Sequence, residues 1–397
     1  MKVCAFLSIQ TGLAVFTMSR YNLFSLKREV FMIKGFAMLG IGKVDIIEKE
    51  YLETVMPERK KLECGPLDAL VRPIAVAPCT SDLHTCYEGG IGERHNMFLG
   101  HEGVGEVLEV GHLVRDFKEG DKVIIPAITP NWSALGSQRG YAQHGEAALS
   151  GWKFSNFKDG VFAEKIHIND ADGNLGHLPE GVEATEAVML SDMVTTGFHC
   201  AEEAKIMPGE RVAVIGLGPV GLMALAGANL MGASEIYAID CVPFRYEVAH
   251  KHYGATHYID FTKAPMQEQI LEITKGVGAD KVLIAGGGVD ILSDACACVV
   301  NGGIISNVNY FGSGDYLRLS RLDWNVGMGH KTIKGGLTPG GRHRMEKLAR
   351  LLQTQKLDVK PIITHRLEGT FEAIAQSLAW MKDKPENFIK PVVSLKW

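Results

Sequence analysis

The sequence predicts an α/β protein, with a doubly wound parallel sheet in its second half and a β-rich domain in its first half. After about residue 195, short apolar strands alternate with helix-length segments, which is typical of right-handed βαβ units. Before that point, glycine and proline break the sequence into short strands. The chain of 397 residues is too long for one small core, so two domains are expected.

The individual elements follow from apolar runs and the turn residues around them. In the first half we predict strands at residues 69–73, 103–110 and 122–126. The charge-rich residues 48–63 are interpreted as a solvated surface excursion, with a short helix as one option. In the second half, helices are predicted at 219–231 and up to His252, between strands at 211–216, 235–240, 281–285 and 303–307.

Composition and charge exclude several classes of protein. Hydrophobic residues make up 46% of the chain and charged residues 22%, which is typical of a folded globular protein and not of a disordered one. The net charge of -5 provides no bulk attraction to nucleic acid or to anionic membrane, so neither is expected as a partner. No apolar run reaches 18 residues, the length that a membrane-spanning helix needs.

The cysteines and the N-terminal residues bear on the compartment. Eight cysteines are scattered along the chain with no C-x-x-C pair, which favours reduced thiols in a reducing compartment. Residues 3–18 are mostly apolar, but polar residues interrupt them and no clean cleavage site follows. We therefore expect a cytoplasmic protein whose residues 1–33 form an extension, with organelle targeting by that extension as the alternative.

A glycine-rich motif predicts a dinucleotide site. Gly216-Leu217-Gly218-Pro219-Val220-Gly221 is a G-x-G-x-x-G motif that follows an apolar strand and opens a helix. The glycines allow a tight turn and a close approach to a pyrophosphate, which the N-terminus of the helix stabilises. Asp240 ends the next strand, where a carboxylate accepts hydrogen bonds from the ribose hydroxyls and repels a 2′-phosphate.

A second constellation has the chemistry of a zinc site. Cysteine thiolate, imidazole and carboxylate are all zinc donors, and a catalytic zinc needs three protein ligands and one open position. The donors occur in three motifs, Cys79-Thr-Ser81-Asp-Leu-His84, Gly100-His101-Glu102 and Ser191-Asp192-Met-Val-Thr-Thr196-Gly197.

In combination these motifs resemble the zinc-dependent medium-chain alcohol dehydrogenases, in particular the microbial secondary-alcohol dehydrogenases, which are tetrameric and usually specific for NADP. The resemblance extends from about Lys34 to Val393. It is supported by the stretches Ala77-Pro-Cys-Thr-Ser-Asp82, Ile91-Gly-Glu-Arg-His95, Pro126-Ala-Ile-Thr-Pro130, Gly151-Trp-Lys-Phe-Ser-Asn156 and Asn307-Val-Asn-Tyr-Phe-Gly312.

The resemblance implies a specific domain organisation and metal content. A GroES-like catalytic domain would span residues 34–194 and a Rossmann domain residues 195–338, and residues 339–397 would return to the catalytic domain. Zinc would be bound by Cys79, His101 and Asp192, with Glu102 beside the metal and able to enter its coordination. No cysteine lies between Glu102 and Leu190, so a four-cysteine structural zinc lobe is not expected, and one zinc per subunit follows.

The resemblance also implies the reaction and the remaining site residues. Zinc would act as a Lewis acid on the alcohol, which would release hydride to the nicotinamide of NAD or NADP. Ser81 would bind the alcohol oxygen and His84 would pass its proton onward. The cofactor would contact the glycine motif, Asp240, Thr196, Val308, Asn309 and Tyr310. The substrate pocket would contain Trp132, Tyr310 and Leu337, and the protein would be a homotetramer.

The chain departs from this family at the corner that selects the cofactor. NADP-specific relatives have Gly-Ser-Arg-Pro where this chain has Asp240-Cys-Val242-Pro243, and their assisting tyrosine corresponds to Phe261. We therefore expect NAD to be preferred to NADP. Arg245 is the residue that could still reach a 2′-phosphate and reverse this preference.

Two alternatives to a secondary-alcohol dehydrogenase remain open from the sequence. A polyol or threonine dehydrogenase of the same superfamily would use the same metal and cofactor on a more polar substrate. A binding protein that kept the fold and lost catalysis is the second alternative. The joint presence of Cys79, Ser81, His84, His101 and Asp192 argues against it.

Overall fold

The computed structural model describes residues 32–89, 95–312 and 314–397. The predicted N-terminal extension therefore lies outside the described residues, apart from Met32 and Ile33, and so do residues 91–94 of the motif that ends at His95. No helix of the described residues is long and apolar enough to cross a membrane.

The strands in chain order are β1 (Ile33–Gly40), β2 (Lys43–Lys49), β3 (Leu52–Thr54), β4 (Lys60–Leu62), β5 (Ala69–Val76), β6 (Met97–Phe98), β7 (Gly103–Val110), β8 (Lys122–Ile125), β9 (Ile166–Ile168), β10 (Gly176–His177), β11 (Arg211–Ile215), β12 (Glu235–Ile239), β13 (His257–Ile259), β14 (Ala279–Ile284), β15 (Val299–Asn307), β16 (Thr332–Gly335), β17 (Ile363–Gly369) and β18 (Lys390–Leu395).

The helices are α1 (Thr80–Glu88), α2 (Leu135–Gln138), α3 (Ala171–Asn174), α4 (Ala184–Met189), α5 (Thr195–Glu203), α6 (Pro219–Leu230), α7 (Pro243–Val248), α8 (Met266–Ile273), α9 (Ile291–Cys298), α10 (Arg342–Gln353) and α11 (Phe371–Asp383). Two π-helical turns, at Leu190–Val194 and Ala249–Tyr253, follow α4 and α7. Short 3₁₀ turns lie at Ala142–His144, Asn325–Gly327 and Lys360–Ile362.

The first half of the chain is β-rich, as predicted. Its main sheet has the order β10-β8-β7-β5-β18-β17, and β9 also pairs with β5. The last two strands of the chain thus join the sheet of the first half, through the antiparallel pair β18–β5. Strands β2, β1 and β6 form a second small sheet. The domain boundaries themselves remain predictions.

The second half forms the predicted parallel sheet. Its order is β13-β12-β11-β14-β15-β16, and every pair is parallel. Counted within the sheet, this is the order 3-2-1-4-5-6 of a dinucleotide-binding Rossmann fold, in which ligands bind beyond the carboxyl ends of the strands.

Both faces of this sheet are buried, which explains why its strands are continuous apolar runs and do not alternate with polar residues. On β11, Val212 and Val214 pack into a core with α5 and α6, whereas Ala213 and Ile215 pack on the opposite face with α8 and α9. Pro219 occupies the first turn of α6, where its missing N–H costs no hydrogen bond.

Residues 48–63 are mostly exposed, as expected for a solvated excursion, but they do not form the optional short helix. The segment contains the β3–β4 hairpin, and Leu52, Glu53 and Thr54 are buried. The charges are stabilised by pairing: the Glu53 carboxylate accepts from Lys49 and Arg59, and its backbone N–H donates to Asp159. Burial of charged residues is tolerated when they are paired in this way.

Candidate functional site

One continuous cleft of about 980 Å³ joins the predicted metal donors to the glycine-rich motif. Cys79, Ser81, His101 and Asp192 line one end of the cleft, and Gly216 lies at the other. Both predicted constellations therefore open into the same space, as hydride transfer between a bound alcohol and a bound cofactor would need.

Three separate segments supply the four predicted metal donors. Cys79 is the N-terminal cap of α1, His101 and Glu102 directly precede β7, and Asp192 lies in the first π turn. Their donor atoms all lie within 4.8 Å of one another. The Cys79 Sγ is 3.6 Å from Asp192 Oδ2, which is 3.7 Å from His101 Nε2.

The electrostatics of this cluster show how strongly the donors interact. Burial raises the pKa of the Cys79 thiol, and burial also raises the pKa of Glu102, to about 7, although Lys390 opposes that shift. Burial would lower the pKa of His101. The charge of Asp82 and hydrogen bonds to Asp82, Asp192 and Cys79 outweigh burial and raise this pKa well above its usual value. The hydrogen bonds and charge of His101 outweigh burial and lower the pKa of Asp192.

The donor set fits a zinc ion. Thiolate, imidazole and carboxylate oxygens are the ligand types that structural and catalytic zinc sites use, and they converge here on one buried point. Oxygen Oε2 of Glu102 is buried without a hydrogen-bond partner, so it is free to coordinate a metal ion. With the Cys79 thiol and the carboxyls of Glu102 and Asp192 ionised, as metal ligands are, a divalent cation would compensate the negative charge that Lys390 neutralises only in part.

Two residues that sequence reasoning did not assign complete the surroundings of the donors. Lys390 in β18 is buried, and its Nζ donates to Glu102 Oε1 at 2.7 Å. Asp82 Oδ1 lies 3.3 Å from His101 Nδ1, and the carboxylate also accepts the Cys79 N–H at 2.8 Å. An acidic partner on the outer nitrogen keeps the other nitrogen of a histidine directed at a metal. The sequence signal for Lys390 was a charged residue within the otherwise largely apolar strand 390–395.

The nucleotide end of the cleft has the predicted strand–turn–helix geometry. Asp240 follows β12, and its carboxylate accepts the backbone N–H groups of Leu217 at 2.7 Å and Val242 at 2.9 Å. Arg245 NH1 lies 3.5 Å from the same carboxylate. The aspartate therefore ties the glycine turn to the end of the neighbouring strand.

Most of the predicted cofactor residues line the cleft. They are Thr196, Gly216, Gly218, Pro219, Val220, Asp240, Val308, Asn309 and Tyr310. Leu217 and Gly221 lie behind the cleft surface. The Leu217 side chain is buried in the core, and a Cβ at Gly221 would lie 1.7 Å from the Gly216 carbonyl oxygen. Gly221 therefore permits close packing of the helix against the turn.

The predicted substrate residues divide into two groups. Tyr310 and Leu337 line the cleft. Trp132 does not: its indole Nε1 donates to Asn174 at 3.1 Å, and its ring packs beside Gly341, so this expectation is corrected. The indole in the cleft is that of Trp152, whose ring centroid lies 5.5 Å from that of His101 in an edge-on contact. Trp152 was not among the predicted substrate residues.

The predicted relay residues lie at the metal end of the cleft. Ser81 Oγ is 3.3 Å from His101 Nε2, among the donors. His84 lies one helical turn further along α1, where its Nδ1 is 2.7 Å from Glu88 Oε2 and its ring faces Tyr310. Since the His84 side chain is 34% exposed, it connects the cleft with solvent.

Two family models match the chain. The model described as alcohol dehydrogenase GroES-like domain matches residues 65–180, and the one described as zinc-binding dehydrogenase matches residues 219–354. The chain belongs to the zinc-dependent medium-chain alcohol dehydrogenases.

Individual members of this family are similar over nearly the whole length. The NADP-dependent isopropanol dehydrogenase of Thermoanaerobacter brockii is 55% identical over 363 residues, which cover 91% of this chain and 100% of the relative. The enzyme of the same name from Entamoeba histolytica is 55% identical, with 92% and 96% covered. Among solved structures, alcohol dehydrogenase TADH from Thermus sp. ATN1 superimposes with a TM-score of 0.78 at 28% identity, covering 91% of this dehydrogenase and 100% of that chain.

The packing of the glycine turn predicts different effects of two substitutions in this dehydrogenase. Gly221→Ala should destabilise the fold, because the new Cβ would overlap the Gly216 carbonyl. Gly218→Ala meets no heavy atom within 4 Å, so it should keep the melting temperature and weaken cofactor binding by filling the space of the pyrophosphate. Thermal unfolding and cofactor titration of both variants separate the two effects. Equal melting temperatures would contradict the packing role of Gly221.

Proposed function

We propose that this dehydrogenase interconverts small secondary alcohols and ketones, using one catalytic zinc ion per subunit and NAD in preference to NADP. The observation that supports the proposal is the cleft that is lined both by three of the four clustered metal donors, Cys79, His101 and Asp192, and by the glycine-rich turn. The names of the relatives support the substrate class, whereas their NADP dependence differs from the cofactor proposed here.

The apolar wall of the cleft supports a small aliphatic substrate. Ile128, Leu149, Trp152 and Leu337 line it near the donors. A polyol or an amino acid would bring hydroxyl or charged groups against these side chains without hydrogen-bond partners, which is costly in a desolvated site. This contrast favours secondary alcohols over the polyol and threonine alternatives.

The residues of the chain divide the catalytic work between them. Cys79, His101 and Asp192 would hold the zinc, with Glu102 beside it, and Thr196 keeps Asp192 in place by donating to its Oδ1 at 2.6 Å. When bound, the zinc supplies Lewis-acid polarisation of the alcohol oxygen and the nicotinamide accepts the hydride. Ser81 would orient the alcohol and accept its proton in exchange for its own, and His84 would release a proton at the exposed mouth.

The cofactor preference is supported by the corner around Asp240. The carboxylate is only 5% exposed and is held by two backbone N–H groups, so it cannot easily turn away from an incoming phosphate. Val242 and Phe261 offer neither a charge nor a hydroxyl group. Arg245 faces Asp240, and a 2′-phosphate would have to compete with that carboxylate for the guanidinium.

Assembly and compartment remain predictions. We expect a homotetramer in the cytoplasm, on the basis of the resemblance and the cysteine usage, with organelle targeting by residues 1–33 as the alternative. Light scattering of the purified protein would test the first of these predictions, and microscopy of a fusion of residues 1–33 would test the second.

Loss of a donor should remove the metal. Cys79→Ala should lose both bound zinc and propan-2-ol oxidation. The variant keeps one imidazole and two carboxylates, which should bind zinc more weakly without the thiolate. Zinc content per subunit and turnover are the measurements. Cys64→Ala, a cysteine outside the cleft, is the matched control and should retain both. Full turnover of a metal-free preparation would refute the proposed chemistry.

Loss of the Ser81 hydroxyl should slow the reaction and spare binding. Ser81→Ala should lower kcat by about 10²–10⁴-fold, the usual contribution of a proton-transfer group, while zinc content and the Kd for NAD stay near wild type. Ser234→Ala, in a surface loop, serves as the control. If kcat falls by less than about threefold, water carries the proton and Ser81 has no role in the relay.

Cofactor choice is tested by the ratio of kcat/KM for NAD and NADP with propan-2-ol. Wild-type protein should favour NAD, and Asp240→Gly combined with Val242→Arg should move the ratio toward NADP by at least about tenfold, or about 1.4 kcal/mol. Arg245→Met should leave the wild-type preference for NAD in place. A wild-type preference for NADP that Arg245→Met abolishes would show instead that Arg245 binds the 2′-phosphate.

A further inference from the structure

The donor Asp192 lies in an unusual part of its helix. Residues 184–203 form one helical run in which the turn Leu190–Val194 has π geometry between α4 and α5. A π turn inserts a residue, changes the direction of side chains and is frequent at functional sites. The orientation of the Asp192 carboxylate therefore depends on this turn keeping a geometry that is rarer than a regular α-helix.

Groups outside the helix stabilise both ends of the π turn. On one side, the Ser191 carbonyl accepts the Ala127 N–H at 3.0 Å, and the Ser191 hydroxyl donates to the Gly103 carbonyl. The first contact joins the turn to the segment after β8, and the second joins it to the start of β7, which follows His101 and Glu102. On the other side, the first residue after the turn is Thr195, which is buried.

A single arginine binds Thr195 at two atoms. Arg344 Nε donates to Thr195 Oγ1 at 2.6 Å, and its NH2 donates to the Thr195 carbonyl at 2.7 Å. Its third nitrogen, NH1, pairs with Glu202 at 2.8 Å, so the side chain is held in one orientation while only 13% exposed. Planar guanidinium groups suit two-point contacts of this kind, and charge-assisted hydrogen bonds are stronger than neutral ones.

The same contact extends to the substrate end of the cleft. The Thr338 hydroxyl donates to the Thr195 carbonyl at 3.1 Å and lies 3.1 Å from the Thr195 hydroxyl. Thr338 directly follows Leu337, which lines the cleft. Thr195 is therefore the point at which the helix that carries Asp192, the segment that carries Leu337 and the first turn of α10 meet.

We propose that Arg344 is a positioning residue, which fixes the π turn that presents Asp192 and couples it to the Leu337 wall of the substrate cleft. It touches neither substrate nor metal and acts through Thr195. The proposal rests on the proposed metal site, because its effect on catalysis passes through Asp192.

A neighbouring arginine provides a matched control. Arg342 lies in the same turn of α10 and is similarly paired, to Glu346 and Asp116. It does not contact the π turn. Replacement of either arginine by methionine removes one positive charge from α10, together with the ion pairs that this charge makes. Only Arg344→Met also removes the two contacts to Thr195.

The experiment compares wild type, Arg344→Met, Arg344→Lys and Arg342→Met. The measurements are the rate of zinc loss to a chelator, the visible absorption bands of enzyme in which Co²⁺ replaces Zn²⁺, and kcat and KM for propan-2-ol. Arg344→Met should lose zinc about tenfold faster, shift the cobalt bands and raise KM as well as lower kcat, since outer partners of ligands commonly contribute about 10–100-fold. Arg344→Lys should recover part of each change, because one ammonium can still reach one Thr195 oxygen. Arg342→Met should match wild type.

The outcomes separate this inference from the proposed function. If wild-type protein binds no zinc, the proposed function fails. If wild type binds zinc and Arg344→Met has the cobalt spectrum, zinc loss and KM of Arg342→Met, only the positioning role is refuted. Should Arg344→Met fail to fold, Thr195→Val removes one contact and should shift the cobalt bands in the same direction by a smaller amount. An unchanged cobalt spectrum of Thr195→Val would then refute the role.

Discussion

The burial of ionisable groups at one point is the constraint on which the rest of this dehydrogenase depends. Cys79, His101, Glu102 and Asp192 converge within a few ångströms, largely out of water, where like charges repel strongly. Lys390 offsets part of that repulsion through its 2.7 Å contact with Glu102. A bound cation would stabilise the ionised thiol and carboxyl groups, whose charge Lys390 alone does not neutralise.

Such a site requires accurate backbone placement from distant parts of the chain. The donors come from the start of α1, the entry to β7 and a π turn, and Lys390 comes from the last strand. Each is anchored by neighbours that do not touch the metal position: Asp82 accepts the Cys79 N–H, and Thr196 donates to Asp192. The return of β18 to the sheet of β5 is thus a requirement of the site as well as of the core.

At the cofactor end of the cleft, the Asp240 side chain stabilises the glycine turn and is also the residue proposed to select the cofactor. Asp240 accepts the N–H of Leu217 within the glycine turn, and the same residue lines the cleft. Its hydrogen bonds hold the carboxylate in place, and the proposed preference for NAD rests on this residue. The proposed difference from the NADP-dependent isopropanol dehydrogenases is therefore confined to this corner of the fold.

Local sequence by itself determined the fold class and the strand–turn–helix at Gly216, and its motifs predicted four metal donors that the fold brings within 4.8 Å of one another. Apolar runs, glycine spacing and donor chemistry are short-range properties, and the strands at 103–110 and 211–216 lie within one residue of their predicted positions. Only the tertiary structure decided the β3–β4 hairpin, the place of Trp152 in the cleft instead of Trp132, and the roles of Lys390 and Arg344. Glu102 and Lys390 are 288 residues apart, and Thr195 and Arg344 are 149 apart. No local pattern records such pairs, because packing brings them together only after the sheets have formed.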